Sequence, residues 1–181
     1  KAYGKTAAAL EVAFRLDPPK SRDWKRLGNL YRLAGVPRKA AETYVRAFGK
    51  NPTAGDLDLL ARTYGEAHQM ANALNAAGRA AKLAPTAKRL SRVGRIHMEL
   101  QDCQKGMDAF EQAAQLDDPK GVNSLYVGYA ALKLDQFTTA KTAFQSVLQK
   151  ADPGSQNAKR ASSSLKAIEQ MMKQQQRTAS N

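Results

Sequence analysis

The chain has 181 residues, 43% of them hydrophobic but only 7% aromatic, a balance that favours close-packed helices over a sheet sandwich. Lys and Arg number 29 against 16 Asp and Glu, a formal charge of +13, so an acidic peptide, a polyanion or an anionic surface suits it as partner. The single cysteine, Cys103, excludes an intrachain disulfide and a thiolate metal cluster, and no apolar run approaches the roughly 20 residues that span a bilayer.

In chain order, Tyr3, Thr6, Leu10 and Ala13 ahead of Pro18 read as one helix over 1–19. No start signal precedes Lys1, so upstream repeats or a targeting segment are expected. A unit over 20–53 follows with Trp24, Leu27, Gly28, Tyr31, Ala40, Tyr44, Ala47 and Pro52. A second over 54–86 repeats it as Leu57, Leu60, Ala61, Tyr64, Ala73, Ala77, Ala80 and Pro85, and a third over 87–120 as Leu90, Val93, Gly94, His97, Gly106, Phe110 and Ala113. The fourth, over 121–153, runs through Val127, Gly128, Ala131, Ala140, Phe144 and Val147 to Pro153. Residues 154–181 hold one longer helix from Ser155 to about Gln175 that caps the stack, then a tail. A period of about 34 residues with two helices per unit is the mark of a helical repeat array. Gly28, Gly94 and Gly128 fall where the helices of one unit cross, and a small residue there lets the backbones approach. Trp24, Tyr31, Tyr44 and Phe110 fill the space between units, and the prolines mark unit boundaries because they cannot continue a helix.

The Trp-x2-Leu-Gly-x2-Tyr opening and the spacing after it resemble the tetratricopeptide-repeat family. That resemblance implies an all-α fold, a right-handed superhelical solenoid of antiparallel helix pairs forming a single domain over 1–181. The phrases Pro18 to Ala41 and Arg95 to Phe144 also resemble bacterial repeat proteins associated with TonB-dependent transport. The narrower likeness implies the bacterial periplasm, with the cytoplasm as the alternative.

Chemistry-bearing residues are sparse. His68 falls in an inter-helix turn and His97 at a core position, so both read as packed or solvated. Gly4-Lys5-Thr6 has the ending of a phosphate-binding loop without its first glycine or leading strand, and is placed at an inter-helix turn. Cys103 stands at a similar turn. No catalysis, cofactor or metal is expected.

Binding has a better address. In the family, the first helix of each unit lines the concave groove with its second, fifth, sixth and ninth residues. The resemblance therefore places Arg22, Lys25, Arg26 and Asn29 there, then Gly55, Asp58, Leu59 and Arg62, then Lys88, Ser91, Arg92 and Arg95. The fourth unit supplies Val122, Leu125, Tyr126 and Tyr129, and the last helix Gln156, Lys159, Arg160 and Ser163. Two basic tracts thus flank an apolar, tyrosine-bearing patch in which packing and ligand contact are both open for Tyr126 and Tyr129. Lys25, Asn29, Lys88 and Arg92 also match four of the five positions of the carboxylate-clamp subclass, whose middle Asn is replaced by Leu59, with Asp58 beside it; in so basic a chain this reads as coincidence. The expected function is a protein-interaction scaffold holding an acidic extended peptide or a partner helix. The alternative is an anionic polysaccharide or nucleic acid, the latter disfavoured by the scarcity of aromatic rings among the cations.

Overall fold

The computed structural model describes residues 2–179, and the side chains through Gln174. The expectation about what precedes Lys1 and the last two residues of the tail lie outside the described residues. Ten helices and no strand occur among them: α1 (Ala2–Leu16), α2 (Ser21–Leu33), α3 (Pro37–Phe48), α4 (Ala54–Glu66), α5 (Met70–Leu83), α6 (Ala87–Glu99), α7 (Cys103–Leu116), α8 (Val122–Lys133), α9 (Phe137–Lys150) and α10 (Gln156–Ala179). Helix gaps fall beside Pro18, Pro52, Pro85, Pro119 and Pro153 and, between the two helices of each pair, at 34–36, 67–69, 100–102 and 134–136. The chain divides into two compact units, the first ending at Pro85 and the second starting at Thr86.

In unit 1, α2 pairs with α3 and α4 with α5, and α1 packs on α2. The crossings follow from residue size. A Cβ on Gly28 would lie 2.6 Å from Tyr44 Cε1, and the Tyr44 ring is fully buried. Tyr44 is further fixed by stacking on Phe48 at 5.6 Å and by donating its hydroxyl to Asn29 Oδ1 at 2.6 Å. It therefore fills the crossing inside its own helix pair rather than only a gap between pairs. Trp24 is half-buried, with Phe14 of α1 edge-on at 5.0 Å and the Arg46 guanidinium over its face at 5.1 Å.

Unit 2 repeats the design. A Cβ on Gly94 would meet Phe110 at 2.8 Å and the Gly106 carbonyl at 3.0 Å, and one on Gly128 would meet Phe144 at 2.6 Å. Phe110 and Phe144 are both fully buried and belong to a core that Ala130, Ala131, Ala140, Val147, Ala161 and Ile168 complete. The capping helix ends at Ala179, a few residues beyond the expected Gln175.

The turn inside each pair is one motif used four times. Gly35, His68, Gln101 and Asp135 occupy the same place and all have φ between 55° and 74°. The next amide closes each turn by donating to the carbonyl of Tyr31, Tyr64, His97 or Ala131 at 2.8 to 2.9 Å, the six-to-one bond of a left-handed helix cap. Only the first turn uses glycine; the other three carry a Cβ in a conformation that disfavours one. Gly4-Lys5-Thr6, expected at such a turn, lies inside α1 with all three residues exposed, because that helix already runs from Ala2 and leaves no turn there.

Candidate binding face

The two units differ in how they treat the N-termini of their first helices. In unit 1, α2 opens with Asp23 accepting the Lys20 amide at 3.0 Å, and α4 opens on a reciprocal cap between Thr53 and Asp56. Both carboxylates sit where the helix dipole favours a negative charge. Lys25 places its ammonium 3.5 Å from Asp56 and 5.4 Å from the Phe48 ring centroid. Burial pushes the Asp56 carboxyl up, but the Thr53 hydroxyl and amide and the Lys25 ammonium together hold it below its ordinary value. Arg22 is exposed beside Asp23 at 3.9 Å, and Arg26 and Arg62 are exposed. Asn29 is engaged by Tyr44, and Arg32 lies 3.7 Å from Glu66. In the expected basic tract of unit 1, Arg22 and Lys25 thus stand beside carboxylates and Asn29 is engaged by Tyr44, while Arg26 and Arg62 remain exposed.

Unit 2 has no acidic residue in the first turn of α6, α8 or α10. Lys88 and Arg89 occupy that turn of α6, and Lys159 and Arg160 follow it in α10. Lys88, Arg95, Lys159 and Arg160 are exposed and make no ion pair among the described residues. A hollow of about 280 Å³ joins the starts of α6 and α8, lined by Lys88, Ser91, Val122 and Asn123 with Asp117, Asp118 and Lys120 from the intervening loop. Asn157 Nδ2 donates to the Lys120 carbonyl at 3.0 Å and brings the start of α10 to the same loop. Sequence reasoning misses Lys120 because it lies between helices, outside the groove register.

The expected apolar patch is mostly core. Leu125 is 3% exposed, so its assignment to a ligand-facing surface is corrected. Leu125 belongs to the core cluster with Met107, Phe110 and Phe144, whereas the same repeat position carries Lys25 in α2 and Ser91 in α6. Tyr126 stacks on Phe110 at 4.9 Å and Tyr129 meets Phe144 edge-on at 5.5 Å, each remaining half-buried. Packing is the role these contacts support, with one edge of each ring left at the surface.

One buried polar cluster lies outside the sequence expectations. The Asp118 side chain, 2% exposed, accepts the Asn123 amide at 2.8 Å, the Ser124 amide at 3.0 Å and the Ser124 hydroxyl at 2.5 Å. Lys150 reaches Asp118 at 3.3 Å and Ser124 Oγ at 3.2 Å. The cluster is a helix cap: Asp118 satisfies the first amides of α8, whose N-cap, Gly121, has no side chain. The signal in the sequence is the pair Asp117-Asp118 just ahead of a helix.

No group of three or more His, Cys, Asp or Glu among the described residues could hold a metal ion, and no helix there is long and apolar enough to cross a membrane. Cys103 is the first residue of α7, half-buried.

No family model matches the chain, and no curated protein matches it. Solved structures do. A crystal structure of MamA aligns with a TM-score of 0.68 and 19% identity over 82% of this chain and 88% of that one. TTC0263, a thermophilic TPR protein of Thermus thermophilus, aligns at 0.58 and 18% over 90% of each. The first TPR of Spaghetti (RPAP3), bound to the HSP90 peptide SRMEEVD, aligns at 0.58 and 16% over 66% of this chain and 93% of that one. These likenesses establish the fold: an all-α tetratricopeptide-type helical repeat.

Proposed function

We propose that the chain is a protein-interaction scaffold and that the first-helix face of unit 2 holds an acidic segment of a partner. The observation that carries this reading is the placement of charge against local stability. Cations in or next to the first turn of a helix oppose its dipole, and unit 1 offsets Arg22 and Lys25 with the carboxylates of Asp23 and Asp56. Unit 2 puts Lys88, Arg89, Lys159 and Arg160 in or beside the opposing place with no acidic residue in the first turn of α6 or α10, and Lys88 and Lys120 line the hollow beside α6 and α8. A carboxylate bound there gains charge-assisted hydrogen bonds as well as relief of that repulsion. The peptide-bound RPAP3 structure supports the idea that this fold accepts an acidic segment. The narrower likeness to TonB-associated proteins rests on the two sequence phrases alone.

The experiment is capture of the partner from the native source by the parent chain and by a Lys88→Glu, Lys159→Glu variant, with the salt dependence of binding measured. The variant should lose the partner while melting like the parent, because exposed charge changes usually move stability by only about 0.5 kcal/mol. A steep slope of log K against log salt, near −0.9 for each duplex-DNA phosphate neutralised, would identify a polyanion instead.

A further inference from the structure

An open furrow of about 550 Å³ runs between α7 and α9, floored by Ser124 and Val127 of α8. Unit 1 has the same furrow in the same repeat register, between α3 and α5 over α4, but it measures only about 140 Å³. The difference is traceable residue by residue. Where unit 1 has Phe48, Leu57, Leu60 and Arg79, unit 2 has Ala114, Ser124, Val127 and Ser146, each smaller than its counterpart. A volume of 300–1,000 Å³ is about the range of ligand clefts. The charge changes too. Val45 of unit 1 becomes Glu111, and the cation of Arg79 is lost. The furrow's remaining cation, Lys150, is held by Asp118 at 3.3 Å. Glu111 is exposed and has no ion pair or hydrogen bond among the described residues, so in a strongly basic chain this furrow ends on an unmatched carboxylate.

We infer that the α7–α9 furrow is a docking slot for a partner-protein segment that presents a phenylalanine-sized side chain one helical turn from a Lys or Arg. The ring takes the space that Phe48 occupies in unit 1, over Ala114, Val127 and Ala143, and the cation meets Glu111. Glu111 and Ala114 lie three apart on α7, so the two anchors sit about 5–6 Å from each other, the spacing of neighbours on one helix face. Thr139 and Ser146 line the furrow with hydroxyls that can bond the segment's polar groups. This slot is independent of the first-helix face, and it selects a basic segment where that face selects an acidic one.

The test uses an acetylated, amidated helical peptide carrying one Phe and, four residues later, one Arg on an Ala/Gln background, titrated into the full chain with labelled Ala and Thr methyls. Saturable shifts are expected at Ala114, Thr139 and Ala143. Replacing the probe's Phe by Ala should weaken binding by at least about tenfold, as for a central aromatic anchor. Ala114→Phe, which restores the ring of unit 1, should keep the melt of the parent and abolish the shifts. Glu111→Lys should weaken the Arg probe and strengthen its Arg-to-Glu version, a reversal that a merely misfolded variant cannot produce. Equal binding by Ala114→Phe, shifts confined to α6 and α10, or no saturation at millimolar peptide would each overturn the proposal.

Discussion

Replacing Gly28 by Ala tests the helix crossing with a single methyl group. Its Cβ would lie 2.6, 2.7 and 3.1 Å from three atoms of the Tyr44 ring. That ring is fully buried, stacked on Phe48, and tethered through its hydroxyl to Asn29 at 2.6 Å, so it retreats only by giving up the hydrogen bond or the stack. Inserting a methyl into so tight a contact costs about 1–3 kcal/mol, while Gly→Ala within a helix returns up to about 1 kcal/mol. The net expectation is a loss of about 1–2 kcal/mol. For a unit of this size that lowers the melting midpoint by about 5–10 °C. Gly78 in α5 is the matched control: nothing lies within 4 Å of its added Cβ, so Gly78→Ala should raise the midpoint by about 4 °C. The chain's one tryptophan, Trp24, lies in unit 1 against Phe14 and Arg46, so its fluorescence during heating follows that unit. A Gly28→Ala chain as stable as the parent would mean that the pair does not cross where the repeat register puts it.

Gln101→Gly should stabilise unit 2 by about 1 kcal/mol, because the residue holds φ 62° in a turn where Gly35 serves in unit 1 without a Cβ; a calorimetric melt checks the rise. Asp118→Ala should cost about 3 kcal/mol in denaturant unfolding, since it strips the Asn123 and Ser124 amides and Lys150 of their shared acceptor at a site where Asp118 is 2% exposed. Burial, and then the neighbouring Glu11 carboxylate, push the Tyr31 phenol up to about 12. The unfolded phenol ionises near about 10, so the stability held by the neutral form is complete below that value and is lost as the pH rises through about 12. The parent should accordingly lose stability relative to Tyr31→Phe across that window, and parallel curves of Trp24 unfolding against pH would refute the assignment.

Much of the fold is legible in the sequence because repetition makes each residue testify several times. Gly28, Gly94 and Gly128 recur against Tyr44, Phe110 and Phe144, and the structure puts each pair in contact at the crossing. The binding face is less legible because register assigns a side chain to a helix face but does not reveal its neighbours. Register makes Lys25 a groove cation, yet Asp56 from the next pair stands 3.5 Å away. A Lys25→Glu substitution would set two carboxylates together, so it is not a neutral test of binding. Leu125 departs from expectation for a related reason: the same repeat position is the exposed Lys25 in α2 and part of the buried core in α8. The α7–α9 furrow is invisible in any one repeat, since no single residue marks it; it emerges only when Ala114 is compared with Phe48 and Ser146 with Arg79.

The most direct test of the proposed scaffold is a titration of the isotope-labelled chain with a short acidic peptide rich in Glu and Leu, followed residue by residue. Saturable shifts should gather at the starts of α6, α8 and α10, around Lys88, Lys120, Val122 and Lys159. They should weaken at least about tenfold in the Lys88→Glu, Lys159→Glu variant that melts like the parent, as expected when charge-assisted contacts at a binding site are lost. Unchanged affinity in that variant, or shifts confined to unit 1, would contradict the claim that the basic helix ends of unit 2 form the binding face.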